Sequence, residues 1–190
     1  MKKQRILVID NYDSFVYNLV HYLEEYDVDV DTFRNDQIEL TQIETYDKLL
    51  LSPGPGIPDE AGKLKEIIKT YAETKPMLGV CLGLQAIVEV FGGKLQNLEQ
   101  VFHGIATPAK LVAEDKQLFE GISKEFEIGR YHSWVSIPQV PECLEVTAVD
   151  HQNHIMAIKH KTLPISAVQF HPESVLTPKG KQMIKNWVNS

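Results

Sequence analysis

The first half of this 190-residue chain alternates short apolar segments with longer segments that have helical spacing. The predicted strands cover residues 6–10, 28–33, 48–51 and 77–80, and the predicted helices cover residues 14–25, 60–73 and 82–91. Strands that alternate with helices predict βαβ crossovers, which build a parallel sheet with helices on its faces. Ligands of such sheets bind beyond the carboxyl ends of the strands. We therefore expect Asp10, the loop after residue 51 and Cys81 to meet at one edge of the sheet.

The second half of the chain is rich in strand-like segments and poor in helical ones. Five predicted strands cover residues 105–112, 126–131, 144–149, 154–160 and 165–170, and one predicted helix covers residues 178–188. We interpret these segments as an added antiparallel layer, a last strand of the core sheet that delivers His171, and a terminal helix. The predicted fold class is α/β, a mostly parallel central sheet flanked by helices plus a small antiparallel sheet. No repeat or long linker is visible, which favours one domain over residues 1–190.

A cysteine stands between two glycines where a predicted strand meets a predicted helix. Residues 79–83, GVCLG, have the G-x-nucleophile-x-G spacing of a nucleophile elbow, with Cys81 in the nucleophile position. The positive end of the helix dipole favours the reactive thiolate at such a position. Most lone cysteines are inert core residues, and Cys143, which lacks this context, is interpreted as structural.

The sequence QFHPE at residues 169–173 places His171 and Glu173 two positions apart. In extended backbone, which a proline favours for the residue before it, residues i and i+2 point the same way. Glu173 could then bind one ring nitrogen of His171 and leave the other facing the thiol. Cysteine, histidine and glutamate together suffice for covalent acyl transfer. The other six histidines are expected at the surface, or in structural roles for His151 and His154, and no ligand spacing predicts a metal.

A proline- and glycine-rich loop, SPGPGIP, follows the third predicted strand. Such a cluster by itself is most often only a rigid turn. Beside a nucleophile, the backbone of the loop and the first helical amide can stabilise a developing oxyanion. The candidate residues for this role are Gly54, Pro55, Gly56 and Leu82. Gln85, one helical turn after Cys81, would face the same pocket and could bind an amide or amino-acid ligand.

Composition narrows the expected partners and the compartment. A net charge of -7 argues against a general nucleic-acid binder and against binding to an anionic membrane surface. The 2 cysteines lie far apart in sequence and do not form a disulfide framework. The N-terminus has no signal-peptide core, and no apolar run approaches the ~18 residues of a membrane span. These features predict a cytoplasmic protein.

Three motifs occur in the order and at the separations found in one enzyme family. They are SPGPG at residues 52–56, GVCLGLQ at residues 79–85 and HPE at residues 171–173. Over essentially its whole length, the chain resembles the class I (triad type) glutamine amidotransferases. Within that family, DNYDSF at residues 10–15 is similar to the small subunits (component II) of anthranilate synthase and aminodeoxychorismate synthase. YHSW at residues 131–134 also fits these subunits, although leucine is more usual than tryptophan at position 134.

The resemblance implies a glutaminase that needs no metal or cofactor. Cys81 would attack the side-chain amide of L-glutamine, His171 would shuttle the proton and Glu173 would orient His171. Contacts with glutamine and its oxyanion would come from Gly54, Pro55, Gly56, Leu82, Gln85, Ser133 and Trp134. Ammonia would pass to a chorismate-binding synthase partner, the component I subunit. The segment expected to meet this partner comprises Asn11, Tyr12, Asp13 and Ser14.

Two other functions stay open on the sequence alone. A different Cys-His-Glu hydrolase, such as a γ-glutamyl hydrolase or a peptidase, could use the same elbow. A non-catalytic docking subunit could have kept the fold. Within the glutaminase interpretation, the sequence does not separate anthranilate formation in tryptophan biosynthesis from 4-amino-4-deoxychorismate formation in folate biosynthesis.

Overall fold

The structure, a computed structural model, describes residues 3–190. Its strands are β1 (Gln4–Asp10), β2 (Val28–Arg34), β3 (Lys48–Leu51), β4 (Met77–Val80), β5 (Leu95–Asn97), β6 (Ile105–Leu111), β7 (Glu125–Arg130), β8 (Trp134–Ser136), β9 (Leu144–Asp150), β10 (Ile155–His160) and β11 (Ile165–Val168). Its helices are α1 (Val16–Glu24), α2 (Leu40–Ile43), α3 (Leu64–Tyr71), α4 (Leu82–Val90), α5 (Lys116–Phe119) and α6 (Gly180–Asn189). One 9-stranded sheet has the order β2-β1-β3-β4-β11-β10-β9-β6-β7. Within residues 3–190, no helix is long and apolar enough to cross a membrane.

Five neighbouring strands of the main sheet, β2, β1, β3, β4 and β11, run parallel, which confirms the prediction for the first half of the chain. Alternate residues of β1 enter two separate core clusters because both faces of the sheet are covered. Ile6 and Val8 pack with residues of α1 and α6, whereas Leu7 and Ile9 pack with residues of α3 and α4. Since helices cover both faces, a ligand can reach this part of the sheet only at the strand ends.

The strand registers bring the ends of β3, β4 and β11 to one edge of the sheet. Leu51 of β3 pairs with Gly79 of β4, and Val80 of β4 pairs with Val168 of β11. The Cys81 amide extends this ladder, because it donates to the Val168 carbonyl over 2.8 Å. The loop after β3, the cysteine after β4 and the segment after β11 are therefore neighbours, as the carboxyl-end rule predicts.

The antiparallel strands of the second half do not form an added layer, contrary to our interpretation of their sequence. β10 pairs with β11, and β9, β6 and β7 extend the same sheet. An unpaired edge on β11 would leave its backbone groups open, and β10 satisfies them. Only β5 and β8 form a separate two-stranded sheet within residues 3–190, with Leu95 opposite Ser136. Alternating patterns predict strands, but they carry no information about which edge a strand joins.

The helix after Cys81 begins at Leu82 as predicted, whereas α1, α3 and α6 begin later than the periodicity predicts, because turns occupy the residues before them. Asp13 accepts a hydrogen bond from the Phe15 amide over 2.7 Å, and α1 starts only after this turn. A 3-10 turn at Pro58–Glu60 likewise precedes α3, and α6 begins at Gly180 rather than at residue 178. These turns shorten the helices without moving the faces that they bury.

Candidate active site

Cys81 occupies a strained turn between β4 and α4. Its backbone has φ 53° and ψ -101°, in a region that residues with a side chain rarely adopt. The amide of Gln85 makes a helical hydrogen bond to the Cys81 carbonyl over 3.1 Å. The three preceding amides therefore have no acceptor within the helix, as at any helix N-terminus. This is the strand–turn–helix geometry that the spacing of the two glycines predicts.

Two glycines allow α4 to pack this closely on the sheet. A Cβ atom on Gly83 would collide with the carbonyl oxygen of Leu51 in β3. A Cβ atom on Gly79 would lie 2.8 Å from the Gly83 carbonyl carbon and 2.7 Å from Ile87 Cδ1. Since both distances are shorter than van der Waals contact, a side chain at either glycine would push α4 off the sheet. The glycines are thus required for close packing around the cysteine, which itself adopts the strained conformation.

The proline- and glycine-rich loop after β3 lies against the same turn. A Cβ atom on Gly54 would lie 2.6 Å from Asn11 Cβ and 2.7 Å from Leu82 Cδ2. Asn11 fixes the loop, because its amide donates to Ser52 Oγ and its Nδ2 donates to the Ser52 carbonyl, each over 2.8 Å. Asn35 donates in turn to Asn11 Oδ1 over 2.9 Å. Buried hydrogen bonds therefore hold the loop beside the start of α4.

His171 and Glu173 form a buried hydrogen-bonded pair beyond the end of β11. The distance from His171 Nδ1 to Glu173 Oε1 is 2.6 Å, and the two side chains are 3% and 0% exposed. His171 Nε2 is also buried, and it has no well-aligned hydrogen bond with any residue from 3 to 190. A buried polar atom without a partner needs an explanation, and a proton-transfer role supplies one.

The charge state of His171 results from opposing effects. Burial lowers its pKa, whereas the nearby Cys81 thiol and the Glu173 carboxylate raise it. The net result is a His171 pKa well above the ordinary value of 6.5, so the imidazolium form is favoured. A cationic ring beside the thiol stabilises the thiolate by charge attraction.

Two aromatic rings fix the imidazole in place. The Phe15 and Tyr131 rings pack edge-on against His171, with centroid distances of 5.7 Å and 4.9 Å. The Tyr131 hydroxyl lies 3.1 Å from Ser174 Oγ, and Thr177 Oγ1 donates to the His171 carbonyl over 2.7 Å. The two aromatic rings and the hydrogen bond to its backbone carbonyl therefore constrain the position of the imidazole.

A cavity of about 310 Å³ opens beside the thiol, which is within the range of small-molecule sites. Its lining includes seven of the residues that the sequence predicts, namely Gly54, Pro55, Gly56, Cys81, Gln85, Ser133 and Trp134. Five lining residues were not assigned to the site from the sequence, namely Val101, Phe102, His103, Tyr131 and His132. A depression of about 380 Å³ at the amino end of β11 is lined by Asp115 and Ser166 but by no cysteine. The cavity at Cys81 is thus the candidate active site.

Three side chains and a backbone carbonyl form a hydrogen-bonded series beside this cavity, ending at the thiol. Gln85 Nε2 donates to the Trp134 carbonyl over 3.0 Å and to Gln169 Oε1 over 3.3 Å. Gln169 Nε2 donates to Cys81 Sγ over 3.5 Å. The two bonds of Gln85 use its nitrogen and leave its oxygen for a ligand. Gln169 was not assigned to the site, although it shares the i, i+2 face of His171, which was the available signal.

A buried charged cluster contacts the Trp134 carbonyl, at the other end of this hydrogen-bonded series. Arg130 is 0% exposed and donates to Asp150 Oδ2 over 2.7 Å and to His132 Nε2 over 3.1 Å. His132 Nδ1 lies 3.1 Å from the Trp134 carbonyl. The expectation of a surface position for His132 is wrong, because both ring nitrogens have buried partners and the residue is 6% exposed. The sequence feature that could have predicted the buried position of His132 is Arg130, a charged residue at an inward position of an alternating strand. A buried charge requires buried partners.

The four residues expected at a partner interface separate into two groups. Asn11 is buried and its side chain holds the Ser52 loop, so it offers no surface to a partner. Tyr12 is 45% exposed, Ser14 is exposed and Asp13 is half-buried. In residues 3–190, no three His, Cys, Asp or Glu side chains are arranged to hold a metal ion.

The geometry defines a class of protein first. A thiol at a strand–helix elbow, beside a buried imidazole–carboxylate pair at the carboxyl edge of an α/β sheet, is typical of cysteine-dependent acyl-transfer enzymes. A model of the class-I glutamine amidotransferase family matches residues 7–190. The chain belongs to the class I glutamine amidotransferase family, as its resemblance indicated.

Individual relatives agree with this assignment. The chain is 46% identical over 188 residues to aminodeoxychorismate/anthranilate synthase component 2 of Bacillus subtilis, covering 97% of this chain and 96% of that protein. It is 44% identical over 191 residues to the bifunctional protein TrpGD of Thermotoga maritima, covering 98% of this chain but 32% of that longer protein. A solved structure from Thermoplasma acidophilum, provisionally described as part of a GMP synthase, superposes with a TM-score of 0.90 at 27% identity. That match covers 100% of this chain and 94% of the other, which confirms the predicted fold class.

Proposed function

We propose that this chain, as one amidotransferase domain, hydrolyses L-glutamine to glutamate and ammonia through a thioester on Cys81. The observation that carries the proposal is the strained elbow cysteine beside the His171–Glu173 pair, whose Nδ1 to Oε1 distance is 2.6 Å. The raised pKa of His171 favours the imidazolium, and a thiolate beside it would complete an ion pair. That ion pair supplies both the nucleophile and the proton that the first half-reaction requires.

The first half-reaction forms the thioester. The Cys81 thiolate attacks the side-chain amide carbon of glutamine, and the C=O electron pair moves to oxygen. When the tetrahedral intermediate collapses, the C–N bond breaks and His171 Nε2 gives its proton to the departing amino group, which leaves as ammonia. Glu173 holds His171 through Nδ1, so that Nε2 faces the reacting atoms.

The second half-reaction releases glutamate. The now neutral His171 takes a proton from water, and the water oxygen attacks the thioester carbon. Collapse of the second tetrahedral intermediate breaks the C–S bond, which restores the Cys81 thiolate and the imidazolium. The new carboxylic acid ionises as it leaves, so one water is consumed for each glutamine.

Backbone groups at the elbow and in the Ser52 loop would stabilise the oxyanion in both steps. The Leu82 amide precedes the hydrogen-bonded part of α4, and the backbone of Gly54 to Gly56 lines the same cavity. Donors fixed before the reaction need no reorganisation when charge develops. Gln85, Ser133 and Trp134 would bind the amino-acid end of glutamine, with the free Gln85 oxygen available to an ammonium group.

We further propose that the ammonia passes to a chorismate-binding partner that makes anthranilate or 4-amino-4-deoxychorismate. The support is the name of the Bacillus subtilis relative, which joins both synthases and calls the matched chain component 2. Tyr12, Asp13 and Ser14 follow directly after β1 at the carboxyl edge, so a partner seated there would adjoin the cavity. The product, and with it the tryptophan or folate pathway, is set by the partner chain.

The first experiment measures glutamate release from L-glutamine by the wild type, by Cys81→Ala and by the matched control Cys143→Ala. Each protein is assayed alone and with a purified chorismate-binding component I protein plus chorismate. We expect release by the wild type and Cys143→Ala, none by Cys81→Ala, and an aromatic product in the mixture that identifies the pathway. Full activity of Cys81→Ala, or turnover of γ-glutamyl peptides in preference to glutamine, would overturn the proposal.

A further inference from the structure

Gln169 contacts the thiol but has no part in the mechanism proposed above. Its side chain is 0% exposed, and its Nε2 atom donates to the reacting sulfur of Cys81 over 3.5 Å. Its backbone is fixed as well, because its amide donates to the Met156 carbonyl over 2.8 Å. The adjoining Val168 carbonyl accepts from the Cys81 amide over 2.8 Å. These backbone hydrogen bonds hold Gln169 and Cys81 side by side at the end of the sheet.

The direction of the Gln169 amide follows from its neighbours. The Trp134 carbonyl can only accept, and it lies within hydrogen-bond distance of His132 Nδ1 and Gln85 Nε2. Gln85 must therefore turn its nitrogen toward this carbonyl, and the same nitrogen donates to Gln169 Oε1 over 3.3 Å. Since the Gln169 oxygen is used in this way, its NH₂ group is the part that faces the sulfur.

The direction of the hydrogen bonds at His132 is determined in the same way. The Arg130 guanidinium has only donors, so His132 Nε2 must accept its hydrogen bond over 3.1 Å. His132 then carries its proton on Nδ1 and donates to the Trp134 carbonyl. The directions of all hydrogen bonds between the buried guanidinium and the Cys81 sulfur are thus fixed. No single side chain in this series can be turned round without breaking a bond to its neighbour.

We propose that Gln169 is a positioning residue for Cys81, with Gln85 and the Trp134 carbonyl as its supports. Its N–H group holds the sulfur in one orientation and favours the thiolate over the thiol, because hydrogen bonding to a charged form stabilises that form. The His171 proton moves during each half-reaction, whereas the Gln169 donor does not. Gln169 therefore favours the attack by orienting the sulfur and raising the thiolate fraction, and it stabilises the sulfur as the leaving group of the thioester. This inference rests on the proposed glutaminase function.

The test compares Gln169→Met with the wild type and with the control Gln182→Met. Methionine matches the length of glutamine, and Gln85 keeps its bond to the Trp134 carbonyl, while its second N–H exchanges the Gln169 oxygen for a thioether sulfur, which is only a weak acceptor. Gln182, on α6, donates to the carbonyl of the exposed Glu120 over 3.1 Å and does not line the cavity beside the thiol. The first readout is the pH dependence of Cys81 alkylation by iodoacetamide, followed by mass spectrometry of the Cys81 peptide. The second readout is kcat and KM for glutamine in the presence of component I.

We expect Gln169→Met to slow Cys81 alkylation on the order of tenfold near neutral pH, and to match the wild type at alkaline pH, where both thiols are ionised. We also expect kcat to fall while KM stays within about twofold. An unchanged alkylation profile, or slowing by the same factor at every pH, would overturn the inference. A rise in KM alone would overturn it too, because Gln169 would then act through Gln85 on glutamine binding.

Two further points keep the test decisive. If Gln169→Met does not give a folded protein by circular dichroism, Gln169→Leu is measured in the same way. If the wild type releases no glutamate even with component I, the proposed function fails. The alkylation profiles then still show whether Gln169 supports the thiolate, so the two failures are distinguishable.

Discussion

Arg130 donates its Nε hydrogen to Nε2 of His132 over 3.1 Å, and this contact fixes the protonation state of the histidine. A second proton on His132 would have to occupy the atom that accepts from the guanidinium. Burial, together with the positive charge of Arg130, lowers the pKa of His132 to about 3. His132 is therefore a neutral hydrogen-bond relay, whereas the raised pKa of His171 favours its charged form.

We expect His132 to make folding stability depend on pH. Its pKa is lower in the folded protein than the ordinary 6.5 of the unfolded chain, so the folded state binds fewer protons. The stabilisation is complete above pH 6.5 and is lost as the pH falls toward 3. By pH 5 the loss in the free energy of unfolding is about 2 kcal/mol. His132→Gln, which can also accept from Arg130 and donate to the Trp134 carbonyl, should lose this dependence.

The measurement for His132 is urea unfolding of the wild type and His132→Gln at several pH values from about 7 down to about 4. The loss of stability should begin in this interval, near the ordinary pKa of 6.5. His21→Gln is the matched control, because its side chain is 72% exposed on α1. The control should follow the wild-type curve. A His132→Gln curve that is parallel to the wild type would show that His132 does not titrate differently on folding.

The Arg130–Asp150 pair should be sensitive to the loss of one partner. Both side chains are 0% exposed and the Nη1 to Oδ2 distance is 2.7 Å. Asp150→Asn leaves the guanidinium buried and uncompensated, so we expect a loss of about 3–5 kcal/mol in the free energy of unfolding. The control is Asp27→Asn, which breaks an exposed pair with Lys3 and should cost at most about 1 kcal/mol. Equal urea midpoints for the two variants would contradict this interpretation of the cluster.

The sequence allowed the elbow and the His171–Glu173 pair to be predicted because each depends on local geometry. Two glycines around Cys81 and a spacing of two residues after β11 determine those arrangements without knowledge of the rest of the chain. The parallel half of the sheet could be predicted for a similar reason, since a βαβ unit leaves little choice of connection.

The support behind the thiol could not be predicted, because it depends on residues that meet only in the folded chain. Gln85 and Gln169 are 84 positions apart, and Gln169 and Cys81 are 88 positions apart. The buried position of His132 depends on Arg130, whose partner Asp150 lies on a strand that the sequence assigned to a separate layer. Asn11 was expected at the surface because its polar side chain gives no sign of the loop that it binds.

Glu173 should affect turnover more than glutamine binding. Its carboxylate bonds to His171 Nδ1 and raises the pKa of that ring, and Glu173 does not line the cavity beside the thiol. Glu173→Gln keeps an oxygen for Nδ1 but removes the charge, so we expect kcat to fall on the order of 10²-fold or more with KM changed only a few-fold. Steady-state kinetics with component I checks this, and Glu66→Gln on the exposed face of α3 is the control. A Glu173→Gln enzyme with wild-type kcat would remove Glu173 from the mechanism.

The strained backbone of Cys81 should make glycine more stabilising than alanine at this position, which is the reverse of their order in a helix. At φ 53° and ψ -101°, alanine keeps the strain of a Cβ atom, whereas glycine does not. We expect Cys81→Gly to be more stable than Cys81→Ala by about 1 kcal/mol, even though glycine has the greater unfolded-state entropy. At Ala72, the C-cap residue of α3, φ is -55° and the amide still donates to the Ile68 carbonyl, so Ala72→Gly should instead lose up to about 1 kcal/mol. Urea unfolding of the three variants and the wild type gives both differences. If glycine were the less stable choice at both positions, the elbow would hold no strain.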